Sequence, residues 1–139
     1  MAEQEPVIGI DLGTTNSVVA TVQGGVAAVI RSRAGTNLTP SIVALAKSGK
    51  LLVGSLAKRQ AVTNPSDTVF SAKRLIGRKF SAAQTQDALK HVSFQVEGGE
   101  HDDIRIRLGD RRYSIPEISA MVLRELKSDA EAFFGKPVK

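Results

Sequence analysis

The stretch Asp11-Leu12-Gly13-Thr14-Thr15-Asn16 concentrates groups that could do chemistry. A carboxylate stands near the end of an apolar segment; a glycine, two hydroxyls and an amide follow it. Glycine lets the backbone approach a ligand closely. Successive N–H groups in a tight turn form a concavity that binds anions. Threonine hydroxyls donate to, or accept from, phosphate oxygens and metal-bound water. A lone carboxylate suits hydrated Mg²⁺, which takes one or two carboxylates and fills its other positions with water and phosphate oxygens. The same residue types also make ordinary hairpin turns, so the turn alone leaves both readings open. Residues 7–12 read VIGIDL, a run that suits a strand buried on both faces. A buried carboxylate without a partner costs on the order of several kcal/mol. On that expectation Asp11 calls for a compensating cation.

The elements that must position this turn are legible in the pattern of the chain. Residues 17–22 are β-branched and predict a second strand. Gly24-Gly25 predicts a hairpin turn and residues 27–30 a third strand, so the chain opens as an antiparallel meander. A loop over residues 33–40 follows, then short strands at 42–46 and 51–53 around Ser48-Gly49-Lys50. Residues 55–62 predict a helix that stops before Asn64-Pro65. A second helix is expected from 67 or 68 to 75, ending at Gly77, and a third over 81–90 with Ser81 as its N-cap. Val92, Phe94 and Val96, then Ile104, Ile106 and Leu108, predict half-buried strands around a polar turn at 98–103. The last helix is the best signed. Ser114 and Glu117 have capping-box spacing, with Pro116 in the first turn. Ile115, Ile118, Val122, Leu126, Ala130 and Phe133 form a helical stripe. Gly135 ends it and Pro137 prevents resumption. This order divides the chain into a base, residues 1–41 and 114–139, and an insertion, residues 42–113.

Composition narrows the classes. The chain has 139 residues, with 19 Lys+Arg against 14 Asp+Glu, a net charge of +5. That length suits one domain, and 42% hydrophobic with 24% charged residues excludes a disordered tail or a collagen-like rod. Without cysteine there is no disulfide framework, catalytic thiol or thiolate metal site. No apolar run approaches the roughly 18 residues of a membrane span. The acidic start MAEQEP is not a secretory signal, so the expected compartment is the cytoplasm. The basic balance invites a nucleic-acid reading. The basic residues are spread along the chain, however, and aromatics make up only 4%, so base-stacking platforms are scarce. His91 and His101 are isolated and lack metal-ligand spacing.

The segment Ile10-Asp11-Leu12-Gly13-Thr14-Thr15-Asn16-Ser17 resembles the first phosphate-loop signature of the 70-kilodalton heat-shock chaperones, the DnaK family. Thr39-Pro40-Ser41 is similar to the family's T-P-S turn, and Val53-Gly54 with Ala57-Lys58 to its V-G-x-x-A-K. Asn64-Pro65 and Thr68 match N-P-x-x-T, and Lys73-Arg74-Leu75-Ile76-Gly77-Arg78 matches K-R-L-I-G-R. D-x-G-T alone also occurs in sugar kinases and actin relatives; the ordered set is specific, and the resemblance covers essentially the whole chain. One departure stands at Asn37, where the family usually has arginine, which puts in doubt any ion pair made there.

The resemblance implies an α/β fold: the first lobe of an actin-like (ribonuclease-H-like) ATPase domain, with an antiparallel meander, an inserted α+β subdomain and a long C-terminal helix. It implies that Gly13, Thr14, Thr15 and Asn16 contact the β and γ phosphates of ATP or ADP, and that Asp11 binds Mg²⁺ through water. It implies that Lys73 is the catalytic lysine beside the γ phosphate. By residue type alone Lys73 reads as a solvated helix lysine. Arg74, Arg78 and Lys79 read as structural or interface charges. The implied function is chaperone action that couples ATP hydrolysis to binding and release of unfolded peptides. Its implied partners are a J-domain co-chaperone and a nucleotide exchange factor. The second lobe and the peptide-binding domain are expected beyond Lys139, so these 139 residues alone are expected to be inactive. Two other classes stay open: a non-catalytic partner-binding module and a basic nucleic-acid-binding domain.

Overall fold

Three small antiparallel sheets are gathered on one long helix. The computed structural model describes residues 4–139. In the first sheet β1 (Ile8–Leu12), β2 (Asn16–Gln23) and β3 (Val26–Val29) lie in that order, with β1 at the edge. The register runs from Ile8 opposite Thr21 to Leu12 opposite Ser17. Gly24 and Gly25 have φ of 57° and 79°, the left-handed pair that a two-residue hairpin turn needs. The two-residue strand β4 (Thr39–Pro40) pairs with the start of β2.

The second sheet places β5 (Ile42–Leu45) between β6 (Leu51–Val53) and β7 (Thr68–Phe70), and α1 (Ser55–Gln60) packs on it. After α2 (Ala83–Leu89), the third sheet follows as β8 (Gln95–Gly98), β9 (Ile104–Leu108) and β10 (Arg111–Ser114), with β9 in the middle. Along β9, Ile104, Ile106 and Leu108 are buried and the two arginines between them are not. The helix α3 (Ile115–Phe134) closes the core with Ile115, Ile118, Val122, Leu126 and Ala130. Its capping box is formed: Glu117 N donates to Ser114 Oγ at 3.2 Å, and Ser114 N donates to Glu117 Oε1 at 3.1 Å. Gly135, at φ 69°, ends it. No helix among the described residues is long and apolar enough to cross a membrane.

Several expectations are corrected. Residues 68–70 form β7, not a helix: Thr68 and Val69 are buried by pairing with β5, as β-branched residues favour. Ser71 then turns through the left-handed region at φ 53°, leaving only one 3-10 turn at Ala72–Leu75. Ser81 does not cap α2. Ala82 occupies the N-cap position, and the Ser81 amide and hydroxyl donate to Asp102 instead. The strand β1 is not buried on both faces. Ile8, Ile10 and Leu12 pack on the core while Gly9 and Asp11 are exposed, so the buried-carboxylate argument for Asp11 fails. On α3, Phe133 is 49% exposed, and Asp129 joins the buried side. The strands β4 and β10 have no counterpart in the expected elements, and Val92 and Phe94 precede β8 rather than belonging to it.

Candidate functional site

Between β1 and β2 the chain reverses through Gly13, Thr14 and Thr15. Sterics dictate the glycine: a Cβ at position 13 would lie 2.1 Å from the carbonyl oxygen of Asn16. The turn is braced from the segment after β4. Ser41 N donates to Thr15 O at 2.9 Å. Ser41 Oγ donates to Gly13 O at 2.8 Å and lies 2.8 Å from Ser17 Oγ. From the other side comes Lys73, in the 3-10 turn that follows β7. Its Nζ donates to Leu12 O at 2.7 Å, across 61 residues of sequence.

These groups meet at a cavity of about 20 Å³, lined in part by Leu12, Gly13, Thr14, Ser41, Lys73 and Ser119. That is room for about one water molecule. Lys73 is therefore brought to the glycine turn, together with Gly13 and Thr14. Thr15 and Asn16 continue the turn as exposed residues and do not line the cavity. Asp11 lies one residue before Leu12 but on the opposite, exposed face of β1, where its carboxylate makes no hydrogen bond or ion pair among the described residues. Ser41 and Ser119 are cavity residues that the sequence reading does not single out. Ser41 is visible there only as part of T-P-S, and no local pattern links Ser119 to a turn more than a hundred positions away.

No group of three His, Asp or Glu able to hold a metal ion occurs among the described residues. The donor set fits Mg²⁺ in one manner only, as a hydrated ion that takes one protein carboxylate and completes its shell with phosphate oxygens. Asp11 could supply that carboxylate.

The neighbouring cations have structural work. Arg78 Nε donates to Arg74 O at 2.8 Å and Arg78 Nη1 to Gln84 Oε1 at 2.7 Å. Lys79 Nζ donates to His101 O at 3.0 Å. Asn37 is exposed, and its loop is held by Arg33, which reaches Asp129 and Glu125 on α3. The Arg33 guanidinium is held above its ordinary value, chiefly by its hydrogen bond to Asp129.

The family model for the Hsp70 protein matches residues 7–139, all but the first six positions of the chain. The match spans the braced glycine turn, the lysine that reaches it and the helix that closes the core behind both. The chain belongs to the Hsp70 chaperone family and corresponds to an N-terminal part of its nucleotide-binding domain.

Proposed function

We propose that this chain supplies the phosphate-binding turn and the catalytic lysine of an ATPase that couples hydrolysis to the binding and release of unfolded peptides. The observation that carries the reading is the placement of Lys73 Nζ 2.7 Å from Leu12 O, at the mouth of the turn that only glycine can make. In this reading the backbone of Gly13 and Thr14, with the exposed side chains of Thr15 and Asn16, binds the β and γ phosphates of ATP. The Lys73 ammonium, a compact point charge, orients the attacking water and offsets charge that develops on the phosphoryl oxygens. Asp11 would hold the water shell of Mg²⁺, and the ion would supply neutralisation of phosphate charge. Water attacks the γ phosphorus, its bond to the bridging oxygen breaks, and the products are ADP, phosphate and a proton released to solvent.

The same reading takes residues 1–41 and 114–139 as the base of an actin-like lobe and 42–113 as its insertion. A J-domain co-chaperone and a nucleotide exchange factor are the partner classes that go with it. A single lobe offers the phosphates one turn and leaves the base and sugar wet, so these 139 residues alone hold ATP weakly. In a protein that continues into the second lobe, Lys73→Ala is expected to abolish turnover while largely sparing nucleotide affinity, because an orienting charge acts chiefly in the transition state. Steady-state hydrolysis and equilibrium binding, measured side by side, test this; unchanged turnover removes Lys73 from the mechanism.

A further inference from the structure

Hydrogen-bond direction at the base of the turn is fixed by elimination. Gly13 O can only accept, so the single proton of Ser41 Oγ goes to it. The contact between Ser17 Oγ and Ser41 Oγ must then be donated by Ser17. Ser17 is fully buried at 0% exposure, so its hydroxyl has no water to turn to. The result is a one-way chain, Ser17 to Ser41 to Gly13, in which each bond polarises the next. In a planar trans peptide the C=O and the following N–H point in opposite directions. Drawing Gly13 O onto Ser41 therefore turns the Thr14 N–H away from Ser41. The bond from Ser41 N to Thr15 O fixes the next-but-one peptide plane in the same manner. One residue thus sets two of the peptide planes of the turn and keeps their carbonyl oxygens away from a ligand that carries negative charge.

The geometry points to Ser41 as a positioning residue that aims the N–H groups of the turn at phosphate. This inference rests on the reading of that turn as phosphate-binding. It gives Ser41 a role separate from holding the sheet, because the pairing of β4 with β2, Asn16 with Pro40 and Ser17 with Thr39, does not use the Ser41 hydroxyl.

The test uses the full 139-residue chain and inorganic triphosphate with Mg²⁺, a probe that needs no base pocket. Amide ¹⁵N shifts of residues 13–16 report binding, and backbone order parameters of the same residues, without ligand, report the brace. In the wild-type chain the shifts are expected to centre on residues 13–16. Ser41→Ala should weaken binding by up to about tenfold, the worth of one hydrogen bond, and lower the order parameters of the turn. Ser41→Thr, which keeps the hydroxyl, should restore both. Ser17→Ala, which removes only the donor to Ser41, should weaken binding by about two- to threefold, and this variant decides the matter if Ser41→Ala fails to fold. Equal affinity in Ser41→Ala and wild type overturns the positioning role while leaving the phosphate reading intact. Shifts scattered over surface lysines of the wild-type chain, with none at residues 13–16, overturn the phosphate reading and this inference with it.

Discussion

The glycine turn and the Arg33–Asp129 clasp are both polar, and they are built on opposite plans. In the clasp every charge is answered within the chain. Asp129 Oδ1 accepts from Arg33 Nε at 2.7 Å and from Arg33 N at 3.1 Å, and Arg33 Nη2 donates to Glu125 Oε1 at 2.8 Å. The Asp129 side chain is only 2% exposed. In the turn the carbonyls of Gly13 and Thr15 are answered by Ser41, while Thr15, Asn16 and Asp11 remain exposed. Polar groups that satisfy one another hold shape. The turn instead has its carbonyls tied down and the side chains of Thr15, Asn16 and Asp11 exposed, the arrangement that the phosphate-binding proposal calls for.

The sharpest way to break this comparison is Gly13→Ala. Its Cβ would displace the backbone of Asn16, so a loss on the order of 3 kcal/mol is expected in denaturant unfolding, together with loss of any response of residues 13–16 to phosphate. Arg33→Ala attacks the other side. It leaves the buried Asp129 carboxylate without its counter-ion and with only the backbone N–H of residue 33 as donor, which should cost about 2 kcal/mol, less than a fully buried pair because solvent reaches Arg33. The double variant Arg33→Ala/Asp129→Ala should be the more stable of the two; unfolding midpoints that rank the other way would show that the clasp does not bury an obligate pair.

Ser114→Ala should cost about 1 kcal/mol through loss of the N-cap of α3, read by thermal melting. The cap also carries a pH signature. Glu117 is held below its ordinary 4.5, first by the backbone N–H of Ser114. A lowered carboxyl stabilises the fold above pH 4.5 and loses that contribution as pH falls through its depressed value. Glu117→Gln should therefore flatten the acid limb of the stability profile, by a small amount because Glu117 is 56% exposed. The smallest effect is expected at Thr85, whose Oγ1 is buried with no hydrogen-bond partner among the described residues. Thr85→Val removes an unanswered hydroxyl and should stabilise by about 0.5–1 kcal/mol; a loss of stability would show that the hydroxyl has a partner in solution.

Local signals made much of this molecule legible in advance. Capping-box spacing located α3, the glycine pair located the first hairpin, and the motif Asp11 to Asn16 located the turn. What escaped depended on distant partners. Residues 68–70 became a strand because β5 offered them an edge, a tertiary fact that overrides helical expectation. Asp129 lay on the apolar stripe of α3 unnoticed because its partner, Arg33, is 96 residues away. The exposure of Asp11 escaped for the same reason: VIGIDL reads as buried on both faces, but only one face of β1 packs on the core. At the site, Gly13 and Thr14 were legible from spacing, Lys73 only from the motif that contains it, and Ser41 as a positioning residue from neither.

Sequence separation gives the bond from Lys73 to Leu12 O an expected place in the order of folding. The β1–β2 and β2–β3 hairpins close over short loops, whereas Ser41 reaches Gly13 across 28 residues, Lys73 reaches Leu12 across 61, and Arg33 meets Asp129 across 96. Closing each longer loop costs more chain entropy before any contact rewards it. A chain leaving the ribosome can fold its first hairpins early, but it has no lysine at the turn until the second sheet is in place, and no clasp until α3 has been made. On this expectation the lysine joins the turn after the hairpins and before the clasp, and a nascent chain presents the glycine turn first without the charge beside it.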